Sequence, residues 1–382
     1  MKRKKQGALQ KSPLVAGEFY EAYIPNPLPP TPSINLAEIK DFLAMAETNI
    51  CALNDVVSIV PDHLILNYTY IRKEAVFSSQ IEGTQSTLDD LLRYESKQSI
   101  GIPIDDVEEV SSYVYALNYG LKRIQDGFPL SLRLIREVHK ILLENSRGWN
   151  KTPGEFRNSQ NWIGGTRPGN AHFIPPPPDK ILDLMSDLEK FMYNEAIPPL
   201  IRAALIHQQF ETIHPFLDGN GRVGRLLITL FLCERGYLKS PLLYLSLFFK
   251  KHREVYYKKL DVVRNNGNWE DWLNFFFEAV IETANNARST LVAIESLFNA
   301  DENKIVSLGR SRLTATTVFS QFKQKPLLTI REIVDRTKLA KNTAISSVER
   351  LIELGIIKNT SEKKWGQIYS YSDYITLLIS EK

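Results

Sequence analysis

The chain contains little cysteine, with only Cys51 and Cys233 among its 382 residues. Two cysteines so far apart in sequence support neither a disulfide framework nor a structural zinc site, and they suit a reducing compartment. The chain also lacks any apolar run that approaches the length of a membrane-spanning helix. Its basic N-terminus is not followed by a long apolar segment, so a signal peptide is not predicted. We therefore expect a cytoplasmic protein without membrane contact.

A strong net charge is also absent, but the charge is unevenly distributed. Hydrophobic residues make up 43% and charged residues 24% of the chain, which is ordinary, and the length suffices for two or three domains. Residues 304–382 hold 14 Lys and Arg against 7 Asp and Glu, a net charge of +7, and the rest holds 33 against 37, or −4. The basic C-terminal region suits nucleic-acid binding and, equally, a solvated basic surface.

Regular patterning is scarce before residue 34, where the proline-rich sequence predicts an extended arm. Helical periodicity then dominates. Ser86 and Asp89 resemble a capping box at the start of one predicted helix. The predicted helices cover residues 34–60, 62–82, 86–97, 105–126, 131–146, 179–195, 199–213, 222–236, 252–265 and 268–298.

One segment, NWIGGTRPGNAHFIPPPPD at 161–179, interrupts the helical pattern. Trp162 with Ile163, and Phe173 with Ile174, predict two short strands around the turn GGTRPGN. The four prolines that follow exclude a helix and stiffen the chain. The segment is either a plain surface loop or a flap beside a functional site.

The pattern changes again from about residue 308. RLTATTVFSQFKQK, LTIREIVDRTK and NTAISSVERLIELG predict three short helices, and IIKNTSEKKWGQIYSY predicts two strands around a polar turn. Three helices and a β-wing predict a winged helix-turn-helix domain.

The candidate recognition helix of this domain covers residues 342–354. Because Glu349 and Glu353 on it would repel phosphates, DNA binding and protein docking both remain open. Its polar residues expected toward solvent are Asn342, Thr343, Ser346, Ser347 and Arg350, and the basic residues beside it are Lys338, Lys341, Lys358, Lys363 and Lys364.

The sequence HPFLDGNGRVGR at 214–225 connects a helical pattern to a nearly all-apolar helix. Gly219 and Gly221 allow a tight turn and close approach to a ligand. The backbone amides that follow can converge on an anion at the helix N-terminus. Arg222 and Arg225, three residues apart, suit a polyphosphate better than a single carboxylate. This segment therefore predicts a phosphate-binding loop.

Three further residues in the loop carry chemistry. Asp218 offers an oxygen ligand for a Mg²⁺ ion that bridges phosphates. Asn220 can donate to a phosphate oxygen, and a neutral His214 can accept a proton from an attacking hydroxyl. A base, a metal ligand, an anion site and two cations are the groups that nucleotidyl or phosphoryl transfer needs.

Other interpretations of the same residues are weaker. GNGRVG fits the dinucleotide-binding pattern G-x-G-x-x-G, but a helical segment precedes it and Lys239 stands where an acid is required. Glu211 and His214 form E-x-x-H, with His207 one turn earlier, but a di-iron bundle needs a second such motif. A plain helix–helix corner would assemble these polar residues by chance. The remaining helical histidines are interpreted as ordinary helix or surface residues: His63, His139, His207 and His252.

HPFLDGNGRVGR resembles the signature of the Fic family (filamentation induced by cyclic AMP), HxFx(D/E)GNGRxxR, at every fixed position. The resemblance extends through TPGEFR at 152–157, the flap, and residues 256–277. It implies an all-α Fic domain, a helical bundle with a short β-hairpin flap, followed by the winged helix-turn-helix domain. We assign residues 1–100 to the arm and inhibitory helices, 101–300 to the Fic catalytic domain and 301–382 to the winged helix.

The resemblance implies a protein adenylyltransferase, which transfers AMP from ATP to a Ser, Thr or Tyr hydroxyl of a target protein. His214 would be the general base, Asp218 would hold Mg²⁺ and Phe216 would anchor the loop. Arg222 would contact the β-phosphate and Arg225 the γ-phosphate. The ATP-binding residues would be Gly219, Asn220, Gly221, Arg222, Val223, Gly224, Arg225, Tyr256 and Tyr257. For the two tyrosines, the face of an amphipathic helix is the alternative.

SSQIEG at 78–83 matches the family's inhibitory pattern (S/T)xxxE(G/N) at Ser78, Glu82 and Gly83. Glu82 ends a predicted helix, where the macrodipole favours a cation. The resemblance implies that Glu82 pairs with Arg225 in place of the γ-phosphate, so that the α-phosphate of ATP is poorly aligned.

The resemblance also implies partners. The flap at 161–178 would pair with an extended segment of the target by β-augmentation. Self-modification, a homodimer and DNA binding through residues 304–382 are further hypotheses. Two alternative functions remain: removal of AMP at the same site, with Glu82 helping to activate water, and a nucleotide-sensing DNA-binding regulator.

Overall fold

The structure, a computed structural model, describes residues 3, 5–15, 17–59, 63–96, 103–144, 148–360 and 367–379. Residue 62, the predicted start of one helix, and Lys363 and Lys364 lie outside the described residues. The helices before the C-terminal region are α1 (Leu36–Ile59), α2 (His63–Ile81), α3 (Leu88–Glu95), α4 (Ile104–Gln125), α5 (Leu132–Leu143), α6 (Ile181–Met192), α7 (Pro199–Ile213), α8 (Asn220–Glu234), α9 (Leu245–Lys251), α10 (Arg253–Asn266) and α11 (Trp269–Val306).

The predicted helices are confirmed as elements, and most end within three residues of the expected position. α9 was not predicted, because its sequence LSLFFKK begins in an almost continuous apolar run without periodicity. α11 continues to Val306, so the assigned boundary between residues 300 and 301 lies inside one helix. The domain ranges stay a prediction.

The capping box of α3 lies one residue later than expected. The Asp90 N–H donates to Thr87 Oγ1 at 3.2 Å, and the Thr87 N–H donates to Asp90 Oδ2 at 3.0 Å. Ser86 is fully buried instead. The prediction of Ser86 and Asp89 was wrong because spacing alone does not distinguish adjacent candidates.

The N-terminal arm is a β-hairpin, which corrects the prediction of an extended arm without regular structure. β1 (Gly7–Val15) pairs antiparallel with β2 (Glu18–Pro25). β2 buries Tyr20 and Ala22 on one face and exposes Phe19 and Glu21 on the other, as in a half-buried strand, and Tyr23 at its end is buried as well. The Tyr23 N–H donates to the Ile174 carbonyl at 2.9 Å, so the hairpin runs beside the flap.

α7 and α8 form the centre of the bundle and are joined by residues 214–219. α7 is buried from Leu200 to Ile213, and α8 packs against α2, α4, α5 and α7. A helix that is enclosed on all sides is apolar around most of its circumference, which explains the sequence LLITLFL within α8. The surrounding helices therefore hold the connecting loop in position.

The C-terminal region continues from α11 with further helices and a small sheet. The elements are α12 (Arg312–Gln324), β3 (Leu327–Thr329), α13 (Ile330–Thr337), α14 (Lys341–Glu353), β4 (Lys358–Asn359), β5 (Ile368–Ser370) and α15 (Ser372–Ile379). The sheet has the antiparallel order β3-β5-β4. The three predicted helices and two predicted strands are present, whereas β3 and α15 were not predicted.

Ser347 on α14 is buried, although it was expected to face solvent. It lies three residues after Ala344 and four before Leu351, both fully buried, so it shares their helix face. α14 packs this face against α12. α12 and α15 in turn approach α2, where the hydroxyls of Tyr374 and Thr69 are 3.4 Å apart.

None of the helices in the described ranges has the length and apolar character needed to span a membrane.

Candidate active site

His214 begins the loop between α7 and α8 in the left-handed conformation, with φ 49° and ψ 61°. Its N–H donates to the Phe210 carbonyl at 2.9 Å, which ends α7. A non-glycine residue in this conformation costs free energy and is retained only where its surroundings fix it. The turn brings His214 to the edge of a cavity of about 280 Å³.

Asn220 closes the loop around Phe216. The Phe216 N–H donates to Asn220 Oδ1, and Asn220 Nδ2 donates to the Phe216 carbonyl, each at 2.8 Å. Gly219, with φ 76°, supplies the left-handed residue before α8 without the steric cost that a side chain would add. The Asn220 side chain therefore shapes the loop from within.

His139 on α5 holds the loop from one side. Its Nδ1 accepts the Gly154 N–H at 2.8 Å, so Nε2 carries the proton and donates to the Asp218 carbonyl at 3.0 Å. The ring stacks on Phe216 with centroids 3.7 Å apart. Burial lowers the pKa of His139 to about 4, which keeps it neutral. The interpretation of His139 as an ordinary helix histidine was wrong.

Arg157 holds the loop from the opposite side and is almost fully buried. Its N–H donates to the Pro215 carbonyl and its Nε to the His214 carbonyl, both at 2.9 Å. Its Nη2 donates to the Pro176 carbonyl at 2.5 Å, which connects the loop to the end of the flap. Burial, together with the charges of Arg157 and Arg264, lowers the pKa of His214 to about 3. The His214 imidazole is therefore neutral at pH 7.

Asp218 lies at the mouth of the cavity with its side chain 43% exposed. Its Oδ1 accepts the Gly219 N–H at 2.6 Å and lies 3.6 Å from Arg222 Nη2. Mg²⁺ in phosphate sites is held by one or two carboxylates together with substrate oxygens and water, and an accessible Asp218 fits that role. Among the residues with described positions, no group of three or more His, Cys, Asp and Glu is arranged to hold a metal.

Arg222 is paired with a carboxylate that sequence reasoning missed. Its Nη1 donates to Glu109 Oε1 at 2.6 Å, and both side chains are more than nine-tenths buried. Glu109 is on α4 and borders the same cavity as His214 and Asp218. A ligand phosphate at Arg222 would therefore compete with Glu109 or share the guanidinium with it.

Arg225 is bound by the end of α2. It donates from Nε to Ser78 Oγ at 2.9 Å, from Nη2 to the Ser78 carbonyl at 3.0 Å and from Nη2 to Glu82 Oε1 at 2.6 Å. Burial raises the pKa of Glu82, but the Arg225 charge and hydrogen bond outweigh it and bring the pKa below its usual value. A Cβ on Gly221 would collide with Glu82 Oε1, so the glycine lets the carboxylate approach α8.

Among the described residues, those of the E-x-x-H alternative do not form a group arranged to hold a metal. His207 Nε2 lies 2.8 Å from the Tyr256 hydroxyl. Glu211 is buried beside Gly224, and burial raises its pKa to about 7. Because the imidazole of His207 is already bonded to Tyr256, it is a buried structural histidine and not the surface histidine that the sequence also allowed.

The two candidate adenine contacts differ in accessibility. Tyr256 is fully buried, and its ring lies 4.7 Å from the Phe249 ring. Tyr257 is 39% exposed. In this structure only Tyr257 presents a surface to a nucleotide, and Tyr256 is part of the aromatic core, as the amphipathic-helix alternative stated.

The flap is a small hairpin that contacts β2 and α10. It is closed by a single antiparallel bridge between Ile163 and Phe173, so the predicted hairpin is present but shorter than the two predicted strands. Glu18 on β2 pairs with Arg167 and accepts the Gly169 N–H at 2.7 Å. At its other side, His172 Nε2 lies 2.7 Å from Asp261 Oδ2 of α10. The prolines and the turn glycines leave few residues with the extended geometry that a longer ladder requires.

A Gly-rich turn between two buried helices thus brings two arginines, a carboxylate and a neutral histidine together in a helical protein, which is an arrangement suited to an anion such as phosphate. Comparison with known proteins gives matches to two family models. Residues 129–232 match the Fic/DOC family, and residues 41–122 match the Fic/DOC family N-terminal region. The first match contains the loop at 214–225, and the second contains Ser78, Glu82 and Gly83.

Curated relatives share part of this chain. Two proteins named "Protein adenylyltransferase Fic" from Drosophila melanogaster and Drosophila willistoni are 30% and 29% identical over 222 residues, which is 56% of this chain. The chain spans 42% and 41% of the length of these relatives.

Solved structures share the fold. A Fic family protein from Desulfovibrio desulfuricans G20 aligns with a TM-score of 0.55 at 21% identity, covering 90% of this chain and 97% of that one. Fic-1 from C. elegans aligns with a TM-score of 0.50 at 19% identity, covering 67% and 74%.

Sequence reasoning missed His139, Arg157 and Glu109. Arg157 lies in TPGEFR, one of the segments that resemble the Fic family, so the sequence did contain a signal for it. His139 and Glu109 lie on amphipathic helices, where periodicity identifies a buried face but not the partner across it.

Proposed function

We propose that the protein transfers AMP from ATP to a Ser, Thr or Tyr hydroxyl of a target protein, and that Glu82 restrains this activity. The observation that carries the proposal is the loop at 214–225, where a neutral imidazole, an accessible carboxylate and Arg222 line one cavity and Arg225 bonds Glu82 at the border of that cavity. The names of the curated relatives support the same reaction.

His214 is the proposed general base. As the target oxygen attacks the α-phosphorus, its proton passes to the imidazole, and the bond to the bridging oxygen of pyrophosphate breaks. A pKa of about 3 suits a base that stays unprotonated. The negative charge of bound phosphates would raise that pKa toward the value at which proton transfer is efficient.

The rest of the loop is proposed to bind ATP. The amides of Asn220, Gly221 and Arg222 in the first turn of α8 would face the phosphates, because the Val223 N–H already donates to the Gly219 carbonyl at 3.0 Å. Arg222 would contact the β-phosphate and Arg225 the γ-phosphate. Asp218 would hold Mg²⁺, which would neutralise phosphate charge. The adenine would lie against Tyr257, because Tyr256 is enclosed in the core.

Glu82 is proposed to act as an internal competitor of the γ-phosphate. Arg225 directs one guanidinium nitrogen to Glu82 Oε1 and to the Ser78 carbonyl, and another to Ser78 Oγ. With these bonds in place, the γ-phosphate of ATP lacks its cation, so the α-phosphate would not be held in line with the attacking hydroxyl.

The flap is proposed to dock the target, and self-modification is the intramolecular form of the same reaction. The Tyr23 N–H already bonds the Ile174 carbonyl, so β2 borders this part of the flap and the target strand would use the remaining edge. The C-terminal elements are proposed to form a winged helix-turn-helix domain, residues 301–382, that binds DNA or a protein. A homodimer and a cytoplasmic location remain proposals.

The test is transfer of labelled AMP by the full chain to itself and to lysate proteins, comparing wild type, His214→Ala and His252→Ala. His252 is exposed and far along the sequence from the loop, so it serves as a matched control. We expect His214→Ala to lose transfer and His252→Ala to retain it. Equal transfer by wild type and His214→Ala would refute the proposal.

Removal of AMP is the second candidate, favoured by the position of Glu82 on the same cavity as His214. Incubating a pre-modified target with the protein and Mg²⁺ separates the two directions. Release of AMP that depends on Glu82 would support removal, and stable modification would exclude it.

A further inference from the structure

A second cleft lies at the other end of the α7–α8 pair. It has a volume of about 540 Å³ and is bordered by residues 195–199, Arg202, Glu234 and Arg235. α7 has 15 residues and separates this end from His214 by about 22 Å at the helical rise per residue. We call it the α7 N-terminal cleft. It is distinct from the cavity at the loop.

Arg202 is a buried arginine at the centre of the argument for a ligand in this cleft. Only 3% of the residue is exposed, and its Nε and Nη1 atoms have no hydrogen-bond partner in the part of the chain that the structure describes. The guanidinium lies 5.2 Å from the centre of the Phe231 ring, which fixes its position. Buried charged groups are almost always paired, because desolvation without a partner is costly. An anion is the missing partner.

Arg235 adds a second cation to the same cleft. It lies 4.6 Å from the Tyr193 ring centre, and its Nη2 also has no hydrogen-bond partner among the described residues. Burial and then the charge of Arg235 lower the pKa of Arg202. The two guanidiniums therefore repel each other. Glu234 Oε2 lies 2.8 Å from Arg235 Nε and offsets part of this repulsion, and an anion bound to Arg202 and Arg235 Nη2 would offset the rest.

The cleft also sets the charge of its ligand. Pro198 and Pro199, at the start of α7, border the cleft, so the positive end of the helix dipole lies beside it. Glu195 and Glu234 border the same space. Their negative charge disfavours a polyphosphate and leaves room for one singly or doubly charged group.

We propose that the α7 N-terminal cleft binds a small molecule through one oxyanion group, a carboxylate or a phosphate, held by Arg202 with Arg235. The guanidinium fork matches both oxyanions. The volume is that of a small-molecule site, and Ile197, Pro198 and Pro199 supply apolar surface for the rest of the ligand. This proposal does not depend on the AMP-transfer reaction.

The experiment titrates the full chain with sodium phosphate and, separately, sodium acetate, with sodium chloride keeping the ionic strength constant. The signal is the Nε–H resonance of Arg202, assigned by its loss in Arg202→Met. We expect a saturable shift, and the anion that saturates at the lower concentration identifies phosphate or carboxylate chemistry.

Two variants distinguish anion binding at the cleft from phosphate binding at the loop. Both variants keep the Nε–H resonance of Arg202 as the signal. Glu234→Gln removes a negative charge beside the bound anion and is expected to tighten binding severalfold, with the exposed Glu254→Gln as its unchanged control. Arg235→Met is expected to weaken binding about tenfold, the loss of one charge-assisted hydrogen bond. No saturable shift with either anion, or wild-type affinity in both variants, would overturn the proposal.

Discussion

The two ends of the α7–α8 pair place arginines and glutamates beside a cavity, but they pair them differently. At the loop, Arg222 meets Glu109 and Arg225 meets Glu82, each at 2.6 Å. At the α7 N-terminal cleft, Arg202 has two guanidinium nitrogens without a hydrogen-bond partner among the described residues.

The difference lies in the source of the carboxylates. Glu82 lies just after α2 and Glu109 on α4, so other helices supply the acids that neutralise the loop arginines. At the cleft, Glu234 belongs to α8 itself and lies 2.8 Å from the neighbouring Arg235. Under the two proposals, Glu82 and Glu109 compete with an anion for the loop arginines, whereas the cleft arginines take up an anion from solution. Occupancy of the loop would then depend on the position of the elements that carry these acids, and occupancy of the cleft would depend on the ligand concentration.

The largest expected effect concerns Glu74, a buried carboxyl on α2 that is neutral below its raised pKa, whereas the cleft buries the charged Arg202 to a similar extent. Glu74 lies one turn before Ser78 and accepts hydrogen bonds from Ser246 and Tyr113. Burial raises its pKa to about 7. Its stabilising contribution is therefore complete below its unfolded pKa of about 4.5 and is lost as pH rises through about 7.

We expect Glu74→Gln, which has no charge to bury, to gain stability relative to wild type between about pH 5 and pH 8, by up to about 3 kcal/mol. Urea unfolding of both proteins at the two pH values measures this difference. The exposed Glu254→Gln should show no pH-dependent difference. If the free energy of unfolding of Glu74→Gln differed from that of wild type by the same amount at both pH values, the raised pKa of Glu74 would be contradicted.

The second prediction concerns a substitution that disturbs only the loop end of the α7–α8 pair. Asn220→Ala removes both hydrogen bonds to the Phe216 backbone. We expect AMP transfer to fall at least about a hundredfold, because a displacement of about 1 Å in a catalytic loop has that cost. The control is Asn49→Ala, an exposed asparagine on α1. Phosphate binding at the cleft should be unaffected, and a folded Asn220→Ala protein with near wild-type transfer would refute the role of this bond pair.

The third prediction removes one competitor. Glu82→Gly frees Arg225 for the γ-phosphate, and we expect AMP transfer to rise about tenfold, the effect of one charge-assisted hydrogen bond. Ser78→Ala removes only the bond to Arg225 Nε and should give a smaller rise. Unchanged or lower transfer in Glu82→Gly would return Glu82 to a structural role at the end of α2.

The smallest effect on activity or affinity is expected at Glu109, the carboxylate that pairs with Arg222. Glu109→Gln leaves the buried charge of Arg222 without its partner, which should lower the melting temperature of the free protein. Bound ATP would supply a replacement anion, so we expect ATP affinity to rise a few fold and the melting temperature to recover. Equilibrium binding and thermal unfolding, with the neighbouring Glu108→Gln as control, measure both. Weaker ATP binding would show that Glu109 orients Arg222 for the nucleotide.

The sequence was informative where chemistry is local. The loop and its two arginines could be anticipated, because a contiguous motif carries its own geometry. The contact of Glu82 with Arg225, 143 residues away in sequence, was anticipated from the family resemblance and not from local chemistry. The other partners across helices could not be anticipated. Glu109 is 113 residues from Arg222 in sequence, and His139 is 79 residues from Asp218. Such pairs depend on how amphipathic faces dock, and a periodic pattern does not specify that register.

The same limit explains the errors at the edges of the fold. The alternation of buried and exposed residues in β2 is short, and prolines follow it at once. The prediction of an extended arm rested on these prolines. Tyr256 and Tyr257 are adjacent and chemically identical, yet only packing against Phe249 and His207 distinguishes the buried ring from the exposed one.

The length of α11 has a mechanical consequence. Its 38 residues form a single rod of about 57 Å, and it contacts α1, α7, α9 and α10 as well as α12 and α15. Because α11 continues without interruption from its contact with α7 to its contacts with α12 and α15, we expect a displacement of the C-terminal elements to be passed along it to α7, whose last residue leads into the loop.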